Sequence, residues 1–273
     1  MDSLYKRLAS AVEQAIHEAE TVLPPDVEEA LHTAYDKETN VIARGEFENI
    51  FANLRVAREK DVPICQDTGI FVIYLTIPET VPLTTKLYDA ISEGIRLATK
   101  SVPLRPNAVD PVSRKNSCDN TGAGIPAIHI IPGDKLRVTV LPKGAGSENM
   151  SQIKMMLPSE VGKIPEFVTS VVKDAGSRPC PPVIVGVGIG GTFDSAASSA
   201  KEALLSPINV MTPYEKDLCD KINKLGIGAM GLGGDTTCLA VKIKQGSCHT
   251  ASLPVAVNIQ CWCSRRGIVE VEV

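Results

Sequence analysis

Four segments of this 273-residue chain place a cysteine where a thiol could meet a metal or a substrate. Ile64-Cys65-Gln66-Asp67-Thr68-Gly69 lies between a helical stretch and a strand-forming run, where a loop can aim side chains without breaking a ladder. Its thiol is a soft-metal ligand, its amide can hydrogen-bond a carboxylate, and Asp67 can act as a base or orient one. The same residues also read as a plain turn, with Asp67 and Thr68 satisfying backbone groups and Cys65 a small buried residue. Arg178-Pro179-Cys180-Pro181-Pro182 runs straight into an apolar, glycine-rich stretch; its prolines fix the chain just where the thiol is presented, a setting that suits cluster ligation or simply a buried cysteine at a strand start. Gly246-Ser247-Cys248-His249 and Cys261-Trp262-Cys263-Ser264-Arg265-Arg266 complete the set, His249 being an acid, a hydrogen-bond donor or a packed side chain. Neither zinc spacing, Cys-x2-Cys nor His-x3-His, occurs.

The glycines invite a nucleotide reading and resist it. Gly186-x-Gly188-x-x-Gly191 has the form of a dinucleotide fingerprint. That fingerprint needs a second strand with an acidic residue about 20 positions on, whereas a helical stretch here runs into Ser206-Pro207 and a loop holding Pro213. The glycines then serve close backbone approach, with either an anion at the next helix N-terminus or a tight turn as their purpose. Lys143-Gly144-Ala145-Gly146-Ser147-Glu148-Asn149 offers a lysine, permissive backbone and polar side chains, but no Gly-x-x-x-x-Gly-Lys-Ser/Thr order exists anywhere. Arg105-Pro106-Asn107 and Arg114-Lys115-Asn116 supply cations whose guanidinium groups match a carboxylate, or a solvated surface.

These segments must be positioned by regular elements. Leu4, Leu8, Val12, Ile16 and Leu23, then Val27, Ala30, Leu31 and Ala34 after Pro24-Pro25, recur at helical spacing, and a third helix is expected over residues 47–60. Strands are expected over residues 70–77, 127–131, 136–141, 183–187, 238–243 and 255–260, with a β-rich tail from residue 268. Helices are expected over 84–100, 160–174, 194–205 and 213–225. The fold class is α/β: a mainly helical region over 1–60, then a mixed α/β region over 61–273 with long glycine-rich loops carrying the site. No repeat, low-complexity linker or charge block marks a boundary, so a single domain over 1–273 is expected.

Composition removes several classes of function. A net charge of −4, five Phe, five Tyr and one Trp give no basic face for phosphates and little for stacking bases, so nucleic acid is not an expected partner. No apolar run reaches the roughly eighteen residues of a membrane span, and the N-terminus carries charges through its apolar positions, so neither a membrane nor export is expected. In the cytoplasm thiols stay reduced, which makes the eight cysteines buried small residues, reactive thiols or metal ligands rather than a disulfide framework.

Taken in order, Ile64-Cys65-Gln66-Asp67-Thr68-Gly69, Arg105-Pro106-Asn107-Ala108-Val109, the run from Lys143 to Met150, Cys180-Pro181-Pro182 with the strand after it, and His249 with Gln260-Cys261-Trp262 resemble the α subunit of two-subunit class I fumarate hydratases. That iron-sulfur hydro-lyase family also contains L-tartrate dehydratase, and the resemblance covers nearly the whole chain. It implies a [4Fe-4S] cluster held by Cys65, Cys180 and Cys261, with one iron free of cysteine. It implies catalytic roles for Asp67 and His249, and a substrate site lined by Gln66, Arg105, Gly144 and Gly146. The expected partners are a small dicarboxylic acid and a β subunit carrying further catalytic residues, in an α2β2 assembly. Hydration of fumarate to L-malate ranks first by Ser147-Glu148-Asn149-Met150, and dehydration of L-tartrate second. Cys118 and Ala145 stand where relatives usually carry glycine.

Overall fold

A computed structural model describes residues 3–273. The helical N-terminal region comprises α1 (Ser3–Thr21), α2 (Pro25–Lys37) and α3 (Val41–Lys60). Mixed α/β structure follows: β1 (Ile70–Ile77), α4 (Thr85–Ser101), β2 (Ala127–Pro132), β3 (Leu136–Lys143), α5 (Ala145–Glu148), β4 (Gln152–Met156), α6 (Ile164–Ala175), β5 (Val183–Gly191), α7 (Phe193–Ala203), α8 (Pro213–Asn223), β6 (Cys238–Cys248), β7 (Leu253–Gln260) and β8 (Gly267–Val271). The third helix starts at Val41, earlier than its apolar spacing suggests, and the first turns expected of the 160–174 helix are a 3-10 segment, Pro158–Lys163. α5 and β4 have no counterpart in the sequence reading; four residues and a mostly exposed edge strand carry too little periodicity to register.

The chain divides into two compact units, each discontinuous in sequence. The first comprises Met1–Pro24, Asn53–Gly144 and Arg265–Val273; the second comprises Pro25–Ala52 and Ala145–Ser264. Because each unit is assembled from separated stretches, no linker of shifted composition announces the division.

In the first unit, four strands lie in the order β2-β1-β3-β8, with β1 and β2 parallel and the other pairs antiparallel. Phe71, Ile73 and Leu75 alternate along β1, so their side chains share one face of the sheet. They join a core with Leu8, Val12 and Ile16 of α1, Leu87, Ile91 and Ile95 of α4, and Val138 and Val140 of β3. The two helices approach closely because Gly94 has no side chain: a Cβ there would lie 2.5 Å from the Ala9 carbonyl oxygen.

In the second unit, the order is β4-β7-β5-β6, with β5 parallel to β6 and antiparallel to β7. One core joins the valines of α6 to Val183, Val185 and Val187 of β5 and to Leu218 and Ile222 of α8. A smaller cluster sets Ala196 and Ala200 of α7 on Ala256 of β7. Gly186 and Gly188 face α7, and a Cβ on either would meet a helix carbonyl oxygen at 2.1 Å. Close strand-to-helix packing is therefore what these two glycines serve. The start of α7 is occupied by its own residues: Thr192 N–H donates to Ser195 Oγ (2.7 Å) and Thr192 Oγ1 donates to Asp194 (2.5 Å). No strand follows α7 as the dinucleotide fold requires; the next element is α8.

Candidate active site

The first unit gathers Cys65, Asp67, Arg105 and Gly144 around the loop between α3 and β1. Ile64 is fixed on both sides, its N–H donating to the Glu20 carbonyl (2.8 Å) and its carbonyl accepting from Asn53 Nδ2 (2.8 Å). Asp67 Oδ1 accepts from Gly69 N–H (3.0 Å), and the Asp67 carbonyl accepts from Arg265 Nη2 (2.8 Å). Thr68 Oγ1 accepts the N–H of Arg105 (3.2 Å), while Asn107 Nδ2 donates to the Gly69 carbonyl (3.0 Å). Gly69 holds φ +73° with Lys143 backbone 2.7 Å from where a Cβ would sit, and a Cβ on Gly144 would stand 2.9 Å from Asp67 Oδ2. Only glycine fits at position 69, and a side chain at 144 would press on the Asp67 carboxylate. The turn chemistry of Asp67 and Thr68 and the convergence of Asp67, Arg105 and Gly144 thus coexist. Gln66 and Arg105 are exposed, Cys65 and Asp67 half-buried.

Behind the loop lies a charge pair that the sequence conceals. Glu20 and Arg265 are buried and bonded to each other. Burial raises the Glu20 carboxyl to about 7, with Arg265 pulling it down and Asp67 pushing it up. Glu20 Oε1 is buried without a hydrogen-bond partner among the described residues. Glu20 continues the Leu8, Val12, Ile16 stripe at steps of four residues, and an acid on an apolar stripe was the available clue.

The second unit gathers Gly146, Cys180 and Cys261 at one end of its sheet. Cys180 precedes β5 and Cys261 follows β7; the antiparallel pairing of Ile184 with Gln260 puts both at that end. Trp262 N–H donates to the Cys180 carbonyl (3.2 Å), and a Cβ on Gly146 would stand 3.1 Å from the Arg178 carbonyl oxygen. Cys180 holds φ +52°, a left-handed conformation that costs a non-glycine residue on the order of 1–3 kcal/mol and marks a constrained position. Arg178 caps α6, its Nε donating to the Ala175 carbonyl (3.1 Å) and Nη2 to the Asp174 carbonyl.

His249 is placed differently. β6 runs parallel to β5, and Gly191 pairs with Cys248, so His249 sits at the other end of the sheet from Cys180 and Cys261. The nine residues of β5 separate the two ends by roughly 25 Å. His249 Nδ1 accepts from Ala251 N–H (3.1 Å), which leaves Nε2 to carry the proton of the neutral ring and makes this exposed side chain a donor. Ser147 bonds Gln260 (3.5 Å), and Glu148 binds Lys201 and Asn258, so these two side chains brace the second unit.

All eight cysteines are thiols, and Cys65, Cys180 and Cys261 lie on loops, half-buried or exposed. Such a donor set, one member held in a strained backbone, fits a thiophilic iron-sulfur group. Among the described residues no three His, Cys, Asp or Glu side chains converge as ligands of a single metal ion. Thiolates around a multinuclear cluster have no need to converge so tightly.

Fold and site together define an α/β protein that offers a loop thiol beside a pinned carboxylate in its first unit. Residues 9–270 match the family described as Fumarate hydratase (Fumerase), and the chain belongs to that hydro-lyase family. It is 44% identical over 279 residues to the Methanocaldococcus jannaschii protein named "Putative L(+)-tartrate dehydratase subunit alpha", covering 97% of this chain and 98% of the relative. It is 33% identical over 261 residues to L(+)-tartrate dehydratase subunit alpha of Escherichia coli K12, covering 92% of this chain and 86% of the relative. The Shigella sonnei protein of the same name matches at the same identity and coverage. No helix among the described residues is long and apolar enough to cross a membrane.

Proposed function

We propose that this chain is the α subunit of a cytoplasmic hydro-lyase that adds or removes water on a small dicarboxylic acid, with Cys65, Cys180 and Cys261 holding a [4Fe-4S] cluster. The observation that carries the reading is the loop from Ile64 to Gly69, which holds a presented thiol and a carboxylate two residues apart and is pinned along its length. When bound, the cluster supplies a Lewis-acidic iron free of cysteine that polarises a hydroxyl and a carboxylate oxygen.

The chain's own residues then bind and orient the diacid. The Arg105 guanidinium takes one carboxylate, its backbone held to Thr68, and the Gln66 amide donates a hydrogen bond to the same diacid. The backbone at Gly144 and Gly146 allows close approach of the substrate. Asp67, fixed through Gly69 and Arg265, orients the group that moves the proton next to the carboxylate. His249 donates from Nε2. Its place at the far end of the second unit's sheet favours delivery from a second copy of the chain, in keeping with an α2β2 assembly with a β subunit.

L(+)-tartrate is the substrate favoured by the names of the relatives. The fumarate reading leaned on Ser147 and Glu148, which are engaged within the second unit and so say less about specificity. Fumarate and malate remain the second reading, on the family match. The test is anaerobic reconstitution with and without a β partner, assaying L(+)-tartrate, fumarate and malate while recording the visible spectrum. Cluster absorption with activity that needs the partner is the expected result. A colourless chain inactive on all three acids, with its partner present, refutes the proposal.

A further inference from the structure

Two cysteines that the proposed chemistry leaves unused meet inside the second unit. Cys219, on α8, and Cys238, at the start of β6, are 3% and 1% exposed. Cys219 Sγ donates to the Cys238 carbonyl (3.5 Å), Cys238 Sγ donates to the Ala240 carbonyl (3.2 Å), and each thiol shifts the titration of the other. Asn223 clamps both: its Nδ2 donates to Cys219 Sγ (3.8 Å) and to the Cys238 carbonyl (3.1 Å), while its Oδ1 accepts the Cys238 N–H (2.8 Å). Both cysteines line a cavity of about 360 Å³ whose rim carries Lys37, Lys216 and Asp220, so a small polar molecule has a way in.

We propose that Cys219 and Cys238 form a dithiol modification site that a hydroperoxide entering this cavity converts to an intramolecular disulfide. The inference stands apart from the hydro-lyase reading. Cys219 is the attacking sulfur. The neighbouring Cys238 lowers its thiol against the opposing effect of burial, and Lys216, one turn earlier on α8, lowers it further. Cys238 is pushed up by burial and by its neighbour, as suits a thiol that acts second.

Cys219 sulfur, as thiolate, attacks one peroxide oxygen. The O–O bond breaks, and the departing oxygen takes up the proton released by the thiol and leaves as water or an alcohol. Cys238 sulfur then attacks the sulfur of the sulfenic acid. The S–O bond breaks, and hydroxide leaves with the Cys238 proton as water. Two thiols are oxidised by two electrons and one hydroperoxide is reduced. α8 and β6 are already packed, with Cys219 Sγ on the Cys238 carbonyl and Asn223 bonded to both residues, so the crosslink needs no opening of the fold.

The experiment uses the full chain, exposed to increasing hydrogen peroxide, quenched with an alkylating reagent, denatured and digested for mass spectrometry. The peptides bearing Cys219 and Cys238 are expected to appear joined, lighter by two hydrogens, and alkylated only after a reducing agent. The joined pair should form at lower peroxide than irreversible oxidation of exposed Cys118 or Cys248. In Cys238→Ala, Cys219 should stop as a sulfenic acid that dimedone traps, and this variant's circular dichroism checks its fold. Since the readout is thiol state, loss of any cluster to peroxide does not obscure it. Recovery of Cys219 and Cys238 as alkylated thiols while Cys118 and Cys248 are oxidised overturns the proposal. So does pairing of Cys219 with a different cysteine.

Discussion

Arg265→Met tests whether the buried pair behind the Asp67 loop works as its surroundings imply. Arg265 and Glu20 expose 2% and 0% of their side chains, and Arg265 also donates to the Asp67 carbonyl. Removing one partner of a buried ion pair costs about 3–5 kcal/mol, because the other charge is left uncompensated. Glu20 can escape part of that cost by taking up a proton. In the wild-type chain its carboxyl is raised from 4.5 to about 7, so the folded state holds more protons than the unfolded one between those values. Stability from this group is fully present below 4.5 and is lost as pH rises to about 7, at about 1.4 kcal/mol per unit or about 3 kcal/mol in all. Arg265 lowers the Glu20 carboxyl, so its removal pushes that carboxyl higher, and the decline continues above 7 where the wild type has levelled off. Urea unfolding at acidic and alkaline pH should show the variant about 1–2 kcal/mol less stable near pH 5 and about 3–5 kcal/mol less stable near pH 8.5. Glu20→Gln should remove the wild-type slope. A loss of equal size at both pH values, or none at the higher one, refutes the argument.

Gly188→Ala should cost about 1–3 kcal/mol in urea unfolding, because the new methyl meets the Ala196 carbonyl oxygen at 2.1 Å; an unchanged midpoint contradicts that packing. Cys65→Ser, Cys180→Ser and Cys261→Ser should each abolish the visible cluster absorption while Cys118→Ser retains it, and equal loss in both groups dismisses the ligand assignment. Asp67→Asn keeps an acceptor for Gly69 N–H and so should keep the cluster spectrum while slowing turnover by about 100-fold or more; an unaltered rate removes Asp67 from the chemistry. Mixing His249→Asn with Asp67→Asn should recover part of the activity that neither variant has alone if His249 crosses from a second copy, and no recovery at any ratio places it in its own chain.

What the sequence made legible was what repeats. The apolar stripe of α1 and the alternation of β1 write burial into residue spacing, and both elements appear where the spacing puts them. The site is harder to read because its loops are held by residues far away in sequence. Glu20 is 245 positions from Arg265, and Arg265 is 198 from the Asp67 carbonyl it holds. Nothing local in Cys263-Ser264-Arg265-Arg266 tells which arginine is buried, since a solvated arginine and a paired one look alike in sequence. The glycines at 186, 188 and 191 were ambiguous for a related reason. Glycine permits close approach without saying what approaches, and here the first two admit the carbonyls of α7. His249 shows the opposite case, where twelve residues of separation from Cys261 suggest proximity and strand topology denies it. β7 must run its full length between them, so the shorter the connecting turn, the more firmly the two ends are kept apart.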